Sequence, residues 1–169
     1  MKLAEYLPVT ARSVGVWSGT FCRVNPVGQT YEKLRSEVIF RVFDDSLWPN
    51  VYRQTNSFFD EEGNVIQSYD TEGYFDGDRL RYESERVRGW CADDPFDEYG
   101  RNSLLFMEIL YREDEYVYEI ATISDCGNYR ARAVQFLHAG KTTQRTLIDE
   151  QLVTRDWQAY DEERKAAQP

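Results

Sequence analysis

Turn chemistry recurs along this chain at strand-length intervals, and that spacing constrains its fold more than any single motif. The segments "NPVGQ" at 25–29, "DDSLWPN" at 44–50, "DEEGN" at 60–64, "FDGD" at 75–78, "REDE" at 112–115, "DCGN" at 125–128 and "HAGK" at 138–141 are rich in turn-forming residues. Gly, Pro, Asn and Asp supply the fixed or left-handed backbone angles that tight turns need. Between them the spacing predicts nine strands, at 14–24, 31–43, 51–59, 65–74, 79–88, 103–111, 116–124, 129–138 and 142–153. Twelve Tyr and nine Phe support that reading, because aromatic side chains fit a pleated surface. Short connections imply an up-and-down antiparallel sheet, and closure into a barrel removes its unpaired edges. One connection is long: "GWCADDPFDEYGRN" at 89–102 reads as a lid or binding loop. No repeat of solenoid or propeller period is visible.

The ends read differently. "KLAEYL" at 2–7 and "TRDWQAYDEERKAAQ" at 154–168 have helix-compatible composition, and Trp157 and Tyr160 stand three apart, on one helical face. The expectation is one all-β domain over 1–169, with a barrel core at about 14–153, short terminal helices, and a C-terminal helix or tail at 154–169. A chain of 169 residues buries roughly two thirds of its unfolded surface and can fold without covalent staples.

Charge narrows the partners. Thirty acidic against twenty basic residues give a formal charge of −10, which opposes binding to nucleic acid or to an anionic membrane surface. The opening "MKLAEYLPVTARSVG" lacks the apolar run of a signal peptide, and no stretch approaches the ~20 apolar residues of a membrane span, so a cytoplasmic protein is expected. Cys22, Cys91 and Cys126 are odd in number and far apart, which suits reduced thiols. His138 is the only histidine and stands at a strand end, leaving little for His-based metal sites or nucleophilic triads. "DDPFDE" at 93–98 reads as a solvated acidic loop, and neither a Walker nor a dinucleotide fingerprint is present. The residues call for no metal and no cofactor.

Alternation locates the interior. In "LRSEVIFRV" Leu34, Ser36, Val38, Phe40 and Val42 share the apolar, inward face. In "LRYESERVR" the set Leu80, Tyr82, Ser84, Arg86 opposes Arg81, Glu83, Glu85, Val87, and neither face is cleanly apolar. In "NYRARAVQFLH" Arg130, Arg132, Val134, Phe136 and His138 share one face. Two arginines beside Val and Phe are costly to bury unless each meets a carboxylate, and Glu150 on the following strand can supply one. The alternative is an exterior Arg/Glu pair on a solvated sheet.

Near the start, "GVWSGTF" sets Trp17 between Gly15 and Gly19; near the end stands "RARAVQFLHAGKTTQRTLIDEQ". Together these segments resemble the calycin-type, lipocalin-like barrels common in cyanobacteria and, more distantly, the S-type phycobiliprotein lyases, whose barrels hold a linear tetrapyrrole. The resemblance spans residues 14–153, with its specific part at the two ends. It implies that Trp17 packs at the closed end of the barrel under a basic residue, Arg155 or Arg145. It also implies that Arg130, Arg132 and Glu150 belong to a ligand pocket. The histidine-rich first strand of such lyases is absent, "FCRVNP" standing in its place.

Two function classes follow. One is binding of a hydrophobic, anionic small molecule (bilin-, fatty-acid- or polyketide-like) in the barrel cavity, with Arg130, Arg132, Glu150, Tyr82, Arg86 and Tyr118 as ligand-binding candidates. The other is an enzyme on the same cavity, an isomerase, cyclase or chromophore lyase, with Tyr82, Tyr118 or Glu150 as catalytic candidates. A homodimer is left open.

Overall fold

Glycine and tryptophan begin the barrel. The computed structural model describes residues 2–43 and 51–167, so the turn expected at 44–50 lies outside the described residues. Strand β1 (Gly15–Val24) is followed by β2 (Thr30–Phe43), β3 (Val51–Phe59), β4 (Val65–Asp76), β5 (Arg79–Glu83), β6 (Val87–Asp93), β7 (Asn102–Ile109), β8 (Glu115–Ile123), β9 (Tyr129–His138) and β10 (Lys141–Thr154). Each strand pairs antiparallel with its neighbours in sequence, and β1 pairs with β10 to close the barrel. The fold is therefore an up-and-down antiparallel barrel with short helices at its ends.

Ten strands stand where nine were expected. The run at 79–88 is two strands, because Ser84 makes a turn there. Its amide donates to Val87 O at 3.0 Å, and its hydroxyl accepts the amides of Arg86 (3.2 Å) and Val87 (3.1 Å). This explains why neither face of 79–88 was cleanly apolar: the alternation restarts after the turn. β6 then takes residues 89–93 of the segment expected to be a long loop, and only 94–101 connects it to β7. That connection uses its carboxylates on its own backbone. Asp94 accepts the amide of Phe96 at 3.0 Å, and Asp97 accepts those of Tyr99, Arg101 and Asn102 at 3.0, 2.5 and 2.6 Å.

Helices cover one end and one side. α1 (Lys2–Tyr6) and α2 (Pro8–Ala11) bury Leu3, Leu7 and Val9 in the cluster that contains Trp17, Phe75 and Leu80. Leu7, before α2, caps nothing with its side chain, so the helix N-terminus is met by Asp93 at the end of β6. Its carboxylate accepts the amides of Val9 (2.7 Å) and Thr10 (2.8 Å) and the Thr10 hydroxyl (2.6 Å). α3 (Trp157–Ala167) lies on the outside of β2. Trp157 meets Phe43 edge-on at 5.3 Å, and Arg41 donates twice to Asp161 at 2.6 and 2.7 Å. This cover explains why Ile39, on the outward face of β2, is only 1% exposed. No helix among the described residues is long and apolar enough to cross a membrane.

Candidate functional site

Alternation on the strands sends one set of side chains to the interior and sorts it by height. Nearest the helix-covered end stands Trp17 on β1, fully buried, its indole N–H donating to Ser13 O at 2.8 Å. The Arg130 guanidinium packs against the indole at 4.6 Å and against the Phe40 ring at 4.5 Å. Arg155 also lies over the indole, at 5.3 Å. Arg155 further ties this end together by donating to Val14 O (2.9 Å), Arg12 O and Gly127 O (2.5 Å). Of the two basic residues the resemblance offered, Arg155 meets Trp17, while Arg145 is exposed on the outside of β10.

One layer higher the register sets Arg130 opposite Glu150, and Arg132 two residues along. Arg130 Nε donates to Glu150 Oε2 at 2.7 Å. Arg132 Nε and Nη2 reach Oε2 and Oε1 of the same carboxylate, each at 3.1 Å. Arg132 Nη1 also donates to Glu119 on β8 at 3.3 Å. The result is a four-residue cluster of two cations and two anions. Burial alone would raise the Glu150 carboxyl, but Arg130 and Arg132 outweigh it and hold it below the ordinary value. Burial disfavours charge on Arg132 as well, yet Glu150 and Glu119 push it above its ordinary value. Arg130 falls below its ordinary value, through burial and then the repulsion of Arg132, against the attraction of Glu150. One donor is left over: among the described residues Arg130 Nη2 is buried with no hydrogen-bond partner.

Gly19 makes room for this cluster. It faces Glu150 across the β1–β10 seam, and a Cβ there would collide with Asp149 O and lie 2.8 Å from Glu150 Cγ. Gly15 carries a φ of +130°, a region that side chains avoid, which sets the strand's entry below Trp17. Gly19→Ala is expected to cost about 1–3 kcal/mol, the range of an overpacked core, read as a lower denaturant midpoint. An unchanged midpoint would show slack in the seam.

Beside the cluster the interior is hollow. A cavity of about 190 Å³ is lined mainly by apolar and aromatic groups, among them Phe21, Leu105, Met107, Val134 and Phe136. Its polar strip is on β3, where Tyr52 donates to Gln54 at 2.6 Å and Gln54 to Asn56 at 2.8 Å. Tyr82 from β5 stands edge-on to Tyr52 at 5.9 Å. Burial, first of all, drives both phenols well above their ordinary value and pushes the Cys91 thiol up to about 12. Tyr69 of β4 lines the same cavity and is 45% exposed, so it marks the open rim.

The residues expected to form a site thus divide. Arg130, Arg132, Glu150 and Tyr82 are brought to the interior. Tyr118 is not: it lies on the outer face, 48% exposed and edge-on to Phe106 at 5.6 Å. Arg86 is also outside, exposed in the turn between β5 and β6. Glu119, Tyr52 and Cys91 join the interior without having been expected there. Glu119 was hidden because the opposite face of β8 (Tyr116, Tyr118, Ile120) is the more apolar one. Tyr116 and Tyr118 build an exterior aromatic cluster with Phe106 and Trp90. The pairing of Val134 with Glu119 was the available signal, since residues opposite one another share a face.

Comparison with solved structures gives the same architecture. A protein of unknown function from the DUF3598 family of Nostoc punctiforme superposes with a TM-score of 0.62 at 14% identity, over 84% of this chain and 48% of that one. The S-type phycobiliprotein lyase CPES from Guillardia theta gives 0.59 at 16% identity, over 85% and 89%. Rv2717c from M. tuberculosis gives 0.57 at 13% identity, over 88% and 98%. The likeness is one of fold. This chain spans about half the length of the Nostoc protein. No protein-family model matches the sequence, and no curated protein does.

Proposed function

We propose that this protein binds a hydrophobic small molecule in the barrel interior, its polar end toward Arg130. The observation that carries this reading is a mainly apolar cavity of about 190 Å³ inside the barrel, with Arg130 and Arg132 among its lining residues. A volume of about 190 Å³ is smaller than the roughly 300–1,000 Å³ of pockets that enclose drug-sized ligands. A slim chain, or one end of a longer molecule projecting past Tyr69, fits this space better than a whole tetrapyrrole. The likeness to a phycobiliprotein lyase keeps chromophore handling as a second reading, but fold does not carry chemistry.

Four interior groups are ill suited to acid–base catalysis. Tyr52, Tyr82 and Cys91 are held protonated by burial, while the two arginines keep Glu150 ionised. None of these four is placed to exchange a proton near neutrality. Calorimetric titration with 2-nonanone tests the reading. Wild-type protein is expected to bind it, and Ala121→Phe, which fills the cavity from β8, to lose at least about tenfold in affinity. Equal affinity for the two proteins would place binding elsewhere.

A further inference from the structure

We propose that this cavity selects a ligand whose polar end is uncharged, a ketone, aldehyde or ester, and rejects a carboxylate: its two arginines are already neutralised by Glu119 and Glu150. The proposal rests on the interior being a binding site, and it reverses the preference for an anion that the two arginines suggest when read from sequence.

The charge count decides the matter. Glu150 is fully buried and shared by both arginines, and Glu119 is 15% exposed and takes a third guanidinium contact. A carboxylate entering this space would bring the sum to −1 in a medium that solvates charge poorly. Its oxygens would also lie near Glu119 and Glu150. A carbonyl oxygen adds no charge, so it enters without this electrostatic penalty. Among the described residues the other faces of the cavity supply no compensating cation. β3, β4, β5 and β6 contribute Tyr52, Tyr69, Tyr82 and Cys91, all shifted toward the protonated, neutral form chiefly by burial. Toward the 25–29 turn Arg23 is paired with Glu32 at 2.5 Å, and at the other end Asp93 is taken up by the amides of α2.

The experiment compares octanoic acid with 2-nonanone, in which a methyl replaces the acid's hydroxyl. At about pH 7.5 the ketone is expected to bind at least about tenfold more tightly than octanoate. Octanoate affinity is expected to rise about tenfold per unit as pH is lowered toward about 5.5, because the protonated acid is the species that fits, with ketone affinity unchanged. Glu119→Gln removes one negative charge, so at neutral pH octanoate is expected to gain at least about tenfold and the ketone to change less than about threefold. Octanoate binding wild type as tightly as the ketone, with a flat pH profile, would overturn the proposal and leave the cavity as a site for anions. Failure of both ligands to bind would overturn the binding reading itself. The pH series on wild type decides the issue even where the Glu119 variant does not fold.

Discussion

Trp17→Ala is expected to lower stability by about 3–5 kcal/mol, the cost of a large core truncation. The indole is fully buried, its N–H is satisfied by Ser13 O at 2.8 Å, and two guanidiniums lie over it. Truncation removes more than apolar area. It leaves Arg130 with one aromatic neighbour, Phe40, and leaves Ser13 O without its donor at the base of the plug formed by α1 and α2. Trp17→Phe keeps most of the packing and loses the hydrogen bond, so it should cost less than half as much. Denaturant unfolding checks both, and an alanine variant within about 1 kcal/mol of wild type would mean that the floor repacks freely.

Glu150→Gln is expected to be comparably damaging, at about 3–5 kcal/mol, since removing one partner of a buried charge cluster leaves uncompensated charge. In this variant Arg130 loses its carboxylate and Arg132 keeps only Glu119. The pH dependence gives a second readout. The folded Glu150 carboxyl titrates below its ordinary value, so the unfolded chain binds its proton first as pH falls. Its contribution is therefore fully present above the ordinary glutamic-acid range and is lost as pH falls through the folded value. Wild type should lose stability in acid more steeply than Glu150→Gln, and the two curves should converge at low pH. Parallel curves would place the shared carboxylate outside the energetics of the fold.

Much of the barrel was legible in the sequence because its causes are local. Turn residues mark strand ends directly, and the alternation of Ser36, Val38, Phe40 and Val42 names an inward face wherever that face alone is apolar. Local signals failed at the turn between β5 and β6, which lacks Gly, Pro, Asn and Asp alike. Ser84–Glu85–Arg86 turns the chain through the Ser84 hydroxyl and amide, and no residue there announces it. They failed again on β8, where the exterior face is richer in aromatics than the interior one, so Tyr118 was assigned to the inside and Glu119 went unseen. The charge balance of the cavity depends on Glu119, which only the register of β8 against β9 brings to Arg132. The pattern of Arg130, Arg132 and Glu150 was readable, but its net charge was not.

A crystal structure of the protein soaked with 2-nonanone tests the central claim most directly. The chain is expected along the apolar wall formed by Phe21, Val134 and Phe136, with the uncharged carbonyl at the end of the cavity lined by Arg130 and Arg132. The four-charge cluster should be unmoved. An empty interior with the ketone held elsewhere, or a carbonyl turned toward the Tyr69 rim, would contradict it.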